Sequence, residues 1–326
     1  MPPITLLEAI RQGIWEEMER DSRVFVLGED VGIYGGAFKL TEGFIDKFGS
    51  ERVIDTPISE SAIVGAACGA AMMGMRPVAE MQFIDFISCC FDVLTNYAAK
   101  SRYRQGIGIP IVVRGPCGGG VHGGPFHSQN VESFFLNTPG LKMVEPSTPY
   151  DAKGLIKAAI RDDDPVLFFE HKLLYRNPKI KQDVPEEDYI VPIGKAITRR
   201  EGRDITVVTY GAMVYTALEA AERLEEEGIE MEVIDLRTLL PYDREAIIES
   251  IKKTNKVIIL HEATRTGGMA GELTAFINEE AFEYLDGPVM RVTAIDTPVP
   301  YAPPLEEFFL PQVADVLKAA HALARY

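Results

Sequence analysis

Residues 52–83 read RVIDTPISESAIVGAACGAAMMGMRPVAEMQF. A short apolar run, RVID (52–55), leads into a helix-like run of small and apolar residues, and PVAEMQF (77–83) is apolar again. Strand, helix and strand in that order form the repeating unit of a parallel sheet. The helix opens on Ser59, Glu60 and Ser61, and either serine can cap its first turn. The helix dipole favours an ionised Glu60, whereas desolvation by an apolar helix favours the neutral acid, and the two effects oppose each other. Gly65, Ala66, Ala67, Gly69, Ala70 and Ala71 leave little bulk, so another backbone can approach this helix closely. Local spacing favours a buried helix with an acidic first turn over a functional carboxylate, and what raises Glu60 is the rest of the chain.

The alternation continues on both sides. Thr5 with Glu8 has capping-box form, and Leu6, Ile10, Ile14 and Met18 recur at helical spacing. RVFVLGED (23–30) reads as a buried strand ending in two acids. The glycine-rich loop after it does not match the dinucleotide fingerprint, because GEDVGIYGG lacks the GxGxxG spacing. Beyond PVAEMQF come a helix from Asp85 to about Lys100, a strand at PIVVRG (110–115), another at LKMVEP (141–146), a helix from about Pro149, and a strand at PVLFFE (165–170). Ligands of such sheets bind beyond the carboxyl ends of the strands, where Glu29, Glu60 and the residues after Gln82 fall. From His171 to about Arg203 the pattern lapses among prolines and charges. A second α/β set then runs through DITVVTYG (204–211), a helix over TALEAAERLEEEG, MEVIDLRTL (231–239), a helix near Arg244 to Lys253, KVIILHE (256–262), a helix across the 270s and VMRVTAID (289–296). The expectation is an α/β chain of two domains, 1–185 and 204–326, joined by a linker at 186–203.

The chain has 326 residues, 46% of them hydrophobic and 25% charged, ordinary for a soluble globular protein. Lys and Arg number 33 against 49 Asp and Glu, a formal charge of −16. That balance argues against nucleic acid or an anionic membrane as partner and leaves room for a basic one. Cys68, Cys89, Cys90 and Cys117 form no CxxC pair, so neither a disulfide framework nor a zinc site is expected. The amino terminus lacks the form of a secretory signal, and no apolar run is long enough to span a bilayer. A cytoplasmic protein is the expectation.

Three further stretches hold residue types suited to chemistry. GPCGGGVHGGPFHSQN (115–130) places six glycines beside His122, His127, Ser128 and Gln129. The two histidines are not at helical metal-pair spacing, and no carboxylate accompanies them. His127 suits proton transfer or a hydrogen bond to a carbonyl, and a structural histidine in a flexible loop fits equally. In QFIDFISCCFDVL, Phe83 and Phe86 follow a strand and could stack on a planar ring or belong to the core. His261 and Glu262 end a strand and precede a glycine turn, fit for a binding site or a subunit contact.

GEDVGIYGG, DTPISE, EMQFIDF, GGGVH, FHSQ, PGLKMVEPSTPYDAKGL, DPVLFFEHKLLYR, PIGKA and VIDLRTLLP occur in this order over almost the whole chain. In these the chain closely resembles the β subunit of the thiamine-diphosphate-dependent decarboxylating component of 2-oxo acid dehydrogenase complexes, of the pyruvate and branched-chain types. The resemblance implies a transketolase-like architecture: a pyrimidine-binding parallel-sheet domain, then a transketolase C-terminal domain. It implies that Glu60 hydrogen-bonds the ring nitrogen of the cofactor's aminopyrimidine and promotes its imino tautomer. Phe86, with Phe83 nearby, would lie against that ring, Glu29 would join the cofactor site, and His127 with Gln129 would serve the substrate.

The family's diphosphate and magnesium motif, a GDG with a later asparagine, does not occur in this sequence and belongs to an α subunit. An α2β2 heterotetramer is therefore implied, in which the β chain holds the pyrimidine end of thiamine diphosphate and α holds the diphosphate and Mg2+. The resemblance further implies docking of the lipoyl acyltransferase core on the C-terminal domain, with PLEEFF (304–309) and the Tyr326 carboxylate in the contact region. It also implies a structural potassium ion at Ile109, Ile111, Val112, Ala159, Asp162 and Asp164. An acetoin-cleaving β subunit or a non-catalytic docking subunit of the same fold are the alternatives; retention of Glu60 and His127 weighs against the latter.

Overall fold

The computed structural model describes residues 2–326, which form two compact units. The first takes the chain up to Cys117 and again from Phe134 to Ile193; the second takes Gly118–Ser133 and Gly194–Tyr326. The glycine-rich stretch 118–133, expected within the first domain, thus clusters with the second.

In the first unit, α1 (Leu6–Arg20), β1 (Val24–Gly28), α2 (Phe44–Phe48), β2 (Val53–Asp55), α3 (Glu60–Met72), β3 (Arg76–Glu80), α4 (Ala99–Gln105), β4 (Val112–Cys117), β5 (Lys142–Val144), α5 (Pro149–Arg161), β6 (Val166–His171) and α6 (Lys172–Tyr175) follow in order. Its six strands lie side by side as β5-β6-β4-β3-β1-β2, all parallel. Every residue of β1, β4 and β6 is buried, which is why these strands read as continuous apolar runs. The Thr5–Glu8 capping box starts α1, and Leu6, Ile10, Ile14 and Met18 are its buried stripe. A Cβ at Gly13 would stand 2.4 Å from Ile156 Cγ2, so only glycine lets α1 sit this close to α5. β1 has β2 on one side and β3 on the other, so the winding reverses there. Such a reversal opens a crevice beyond the strand ends, at Gly28–Glu29 and Glu80–Met81.

One element departs from expectation. The segment after β3 is no single α-helix from Asp85 to Lys100, but a 3-10 turn over Ile84–Cys90, a π turn over Val93–Ala98 and then α4. Ile84, Ile87 and Cys90 are all fully buried at a spacing of three, the period of a 3-10 turn. Burial of that row outweighs the α-helical hydrogen-bond pattern.

The second unit contains β7 (Ile197–Arg200), β8 (Ile205–Thr209), α7 (Met213–Glu226), β9 (Met231–Asp235), β10 (Thr238–Leu240), α8 (Arg244–Thr254), β11 (Val257–Thr264), α9 (Met269–Glu280), β12 (Met290–Ala294), α10 (Pro303–Phe309) and α11 (Val313–Leu323). Its sheet has the order β12-β11-β8-β9-β7, parallel except for β7, which runs antiparallel to β9. β7 lies inside the stretch read as linker. Its half-exposed edge position, with Arg199 bonded to Asp235, explains why its sequence lacks an apolar run. No helix among the described residues is long and apolar enough to cross a membrane.

Candidate active site

The crevice of the first unit is lined by the ends of β1 and β3 and the start of α3. Gly28 closes β1 where a Cβ would come within 2.7 Å of the Glu80 carbonyl oxygen, so glycine is required for β1 and β3 to pack here. The next residue, Glu29, is buried, and its Oε1 has no hydrogen-bond partner. Burial raises the Glu29 pKa, and the charges of Glu60 and then Asp30 push it the same way. Glu60, the first residue of α3, is only half-buried, and the two acids are close enough to influence each other.

Neither serine caps α3. Ser59 is the N-cap residue but makes no side-chain cap, and the Ser61 hydroxyl donates to the Cys89 carbonyl instead. The amides of the first turn therefore lack the side-chain acceptor that was expected there. The loop after β1 is held by Asp55, whose carboxylate accepts from the amide of Gly32 at 2.6 Å; a Cβ at Gly32 would strike that carboxylate. Phe83 and Phe86 share one turn, the Phe86 amide donating to the Phe83 carbonyl at 3.1 Å, and both rings are half-buried. Phe83 packs edge-on against Phe38, which packs on Tyr175.

Beside this crevice the sheet contains a charge cluster that sequence reasoning missed. Arg114 of β4 is fully buried between Glu80 of β3 and Glu170 of β6, and the Tyr175 hydroxyl donates to Glu170. Burial raises the pKa of Glu80, and burial together with Glu170 raises that of Tyr175. Part of the signal was legible: a single charge within each of the apolar runs PVAE, IVVRG and VLFFE marks a buried charge that needs a partner, but not which partner.

An unpartnered carboxyl oxygen beside a half-exposed carboxylate, with two aromatic rings on the adjoining turn, fits a heteroaromatic ring that both donates and accepts hydrogen bonds. That donor set and those rings suit the aminopyrimidine of thiamine diphosphate. Among the described residues no group of three or more His, Cys, Asp and Glu is arranged to hold a metal ion.

The stretches expected to hold potassium do not fit it. The Ile109 carbonyl accepts from the Ile111 amide, that of Ile111 from Val166, and that of Ala159 from Asp162. Arg76 Nη1 donates to the carbonyls of Ile160 (3.0 Å) and Asp162 (2.8 Å), Lys142 Nζ lies 2.6 Å from the Asp162 carboxylate, and Arg102 Nε donates to Asp164 (2.6 Å). Tethered cations thus already meet the oxygens of Asp162 and Asp164, and backbone amides those of Ile109, Ile111 and Ala159.

In the second unit, the loop 118–133 carries His127 and Gln129. Both side chains are half-buried, and the Gln129 carbonyl accepts from the Gly118 amide at 3.2 Å. Two carboxylates distant in sequence hold the loop. Glu262 accepts from the Gly119 amide (2.6 Å) and from Asn130 Nδ2 (2.8 Å). Glu306 accepts from the amides of Gly120 (3.0 Å) and His122 (3.1 Å), and its Oε2 lies 2.6 Å from His122 Nδ1. Glu306 is only 1% exposed, so one acid of PLEEFF faces inward, while Leu305, Glu307 and Phe308 face solvent.

Residues 2–178 match the model of the transketolase pyrimidine-binding domain, and residues 194–316 that of the transketolase C-terminal domain. The chain is 55% identical over 329 residues to the 2-oxoisovalerate dehydrogenase subunit beta of Bacillus subtilis, each chain covered completely. It is 45% identical over 328 residues to the pyruvate dehydrogenase E1 component subunit beta of the same organism, again with full coverage of both. Among solved structures, a split-gene transketolase described as an inactive beta4 tetramer superposes with a TM-score of 0.80 at 24% identity, covering 99% of each chain, a likeness of fold.

Proposed function

The chain belongs to the transketolase-like β subunits of 2-oxo acid dehydrogenases, and from that premise we propose that it supplies the pyrimidine half of a thiamine-diphosphate site completed by an α subunit. The pair would decarboxylate a 2-oxo acid and pass the acyl group to a lipoyl acyltransferase. The higher identity to the 2-oxoisovalerate relative favours a branched-chain substrate. When bound, the cofactor supplies a carbon nucleophile and an electron sink.

The chain's own residues bind, orient and move protons. Glu60 would hydrogen-bond the aminopyrimidine ring nitrogen. Glu29, its pKa raised by burial, would stand beside it with an oxygen free to meet the ring. Phe86 and Phe83 would lie against the ring. His127, with Gln129, would hold the substrate carbonyl or relay a proton on the loop of the second unit.

The observation that carries this reading is Glu60 at the mouth of the crevice, beside a carboxyl that burial disfavours as an anion. The open flank of α3 supports the partner assignment. A Cβ on Gly65 or Gly69 would meet nothing within 4 Å, Ile33 and Ile58 are largely exposed near the crevice, and so is Met73 at the far end of α3. Such an apolar surface suits burial by α. For the acyltransferase, exposed Glu307, Leu305 and Phe308 offer an acidic, apolar face to a basic domain; binding that ignores added salt would count against it.

The decisive experiment assembles the chain with its α subunit and assays pyruvate, 3-methyl-2-oxobutanoate and acetoin. Turnover of a 2-oxo acid, highest with 3-methyl-2-oxobutanoate and lost in Glu60→Gln, is expected. Preference for acetoin would move the chain to the acetoin-cleaving class, and full activity in Glu60→Gln would leave a docking role.

A further inference from the structure

The loop 118–133 is built from residues that by themselves would leave it loose. Gly118, Gly120 and Gly124 have positive φ, and His122 shares that left-handed conformation at φ 61°, which a side chain other than glycine adopts only when its surroundings hold it there. What holds it comes from elsewhere in the second unit. Glu306 lies on α10, which is anchored by Phe309 against Ala294 and Val299. From there its carboxylate gathers two loop amides and the His122 ring. Glu262, on β11, secures Gly119 and Asn130 at the two ends of the loop. The Tyr210 hydroxyl fixes Glu132 just beyond, at 2.8 Å. His122 stands five positions before His127, so its backbone sets where the chain enters the turn that carries His127.

We propose that Glu306, paired with His122, is a positioning residue that holds the glycine-rich loop in the one conformation in which His127 can work. Two features argue for positioning rather than bulk stability. The Glu306 carboxylate directs its hydrogen bonds to this loop rather than to the sheet behind it. A buried carboxylate that accepts several hydrogen bonds from one segment fixes that segment more sharply than apolar packing does, because those bonds are directional and costly to leave unmade. The catalytic half of the inference rests on the function proposed above; the structural half does not.

The test uses the assembled α2β2 protein and two readouts. Hydrogen exchange followed by mass spectrometry reports on the peptide spanning 118–133, and steady-state kinetics separates kcat from KM for the 2-oxo acid. Glu306→Ala is expected to accelerate exchange in that peptide by about tenfold or more, with peptides of β8 and β9 unchanged. It is expected to lower kcat by about tenfold or more while KM moves less than about twofold. Glu306→Gln keeps an acceptor for the amides and can donate to a neutral His122 ring, so it should recover most of both losses. His122→Asn tolerates the left-handed backbone and removes only the ring contact; it should fall between the two and serves if the alanine variant does not fold.

Unchanged loop exchange in both Glu306→Ala and His122→Asn would overturn the proposal. So would a loosened loop with undiminished kcat, or a glutamine variant as damaged as the alanine one. If the wild-type assembly turns over no 2-oxo acid, the proposed function fails, and the exchange measurement still decides whether Glu306 holds the loop.

Discussion

Glu29 and Glu60 are electrostatically coupled across the crevice of the first sheet, and it is the more buried Glu29 whose pKa rises. Burial contributes most, the Glu60 charge next, and Asp30 least. One crevice therefore holds a buried carboxyl whose pKa is raised beside a half-exposed one, two different environments at the place where a ring with donor and acceptor edges would bind.

The sign of a pH effect follows. With a folded-state pKa above its unfolded value, Glu29 binds more protons in the native state, so stability falls as pH rises from the unfolded value through the folded one. Glu29→Gln, neutral throughout, should remove that decline and leave the protein as stable as wild type, or more so, at neutral pH. Urea denaturation of both proteins from pH 4 to 8 checks it; parallel pH profiles would show that Glu29 titrates as an ordinary surface acid.

Arg114 sits between two carboxylates with 2% of its side chain exposed. Removing it leaves Glu80 and Glu170 buried without their cation, which costs on the order of 3–5 kcal/mol. Arg114→Met should therefore lower the urea midpoint far more than a surface Arg→Met change. Arg114→Lys should also be costly, because an ammonium cannot grip Glu170 through two nitrogens at once. A lysine variant as stable as wild type would contradict this account.

Arg76 reaches two carbonyls at the end of α5, and Lys142 neutralises Asp162 beside them. Melting temperatures should accordingly be the same in potassium and sodium chloride at equal ionic strength. Arg76→Ala should cost about 1–3 kcal/mol, the range for uncovering hydrogen-bond acceptors. Stabilisation of the wild type by potassium alone would show that an alkali ion binds there after all.

His261 of β11 is fully buried, and burial, helped by the nearby Arg291 charge, lowers its pKa to about 4. An unfolded chain protonates this ring near pH 6.5, so the unfolded state binds the extra proton between those values and stability is lost as pH falls through that window. The loss from this group approaches on the order of 3 kcal/mol at pH 4. His261→Gln should be less acid-sensitive than wild type by that margin. Equal slopes for the two proteins between pH 6.5 and 4 would contradict it.

Most strands were legible because each is a buried run whose apolar character is a local property. The placement of Glu60, Phe83 and Phe86 was legible for a related reason: each lies a few residues beyond such a run, where a parallel sheet presents its ligand-facing loops. The segment 84–98 was misread, since a row of buried residues spaced by three and the first turns of an α-helix look alike in one dimension. The capping role expected of Ser59 or Ser61 failed because a serine before a helix gives no sign of a competing carbonyl such as that of Cys89, 28 residues on.

By itself, the sequence determined the two α/β sets, the order of strands and helices, and the candidate residues at the ends of strands, since all of these follow from which side chains avoid water within a few positions of one another. Only the tertiary structure decided that Arg114 is clamped by Glu80 and Glu170, that Arg76 occupies the Asp162 carbonyl offered to potassium, and that Glu306 turns inward to a loop 184 positions away. Those outcomes depend on pairings between distant segments. Their partners are chosen by how the sheets stack and where the chain folds back, and no local pattern of side chains encodes that choice.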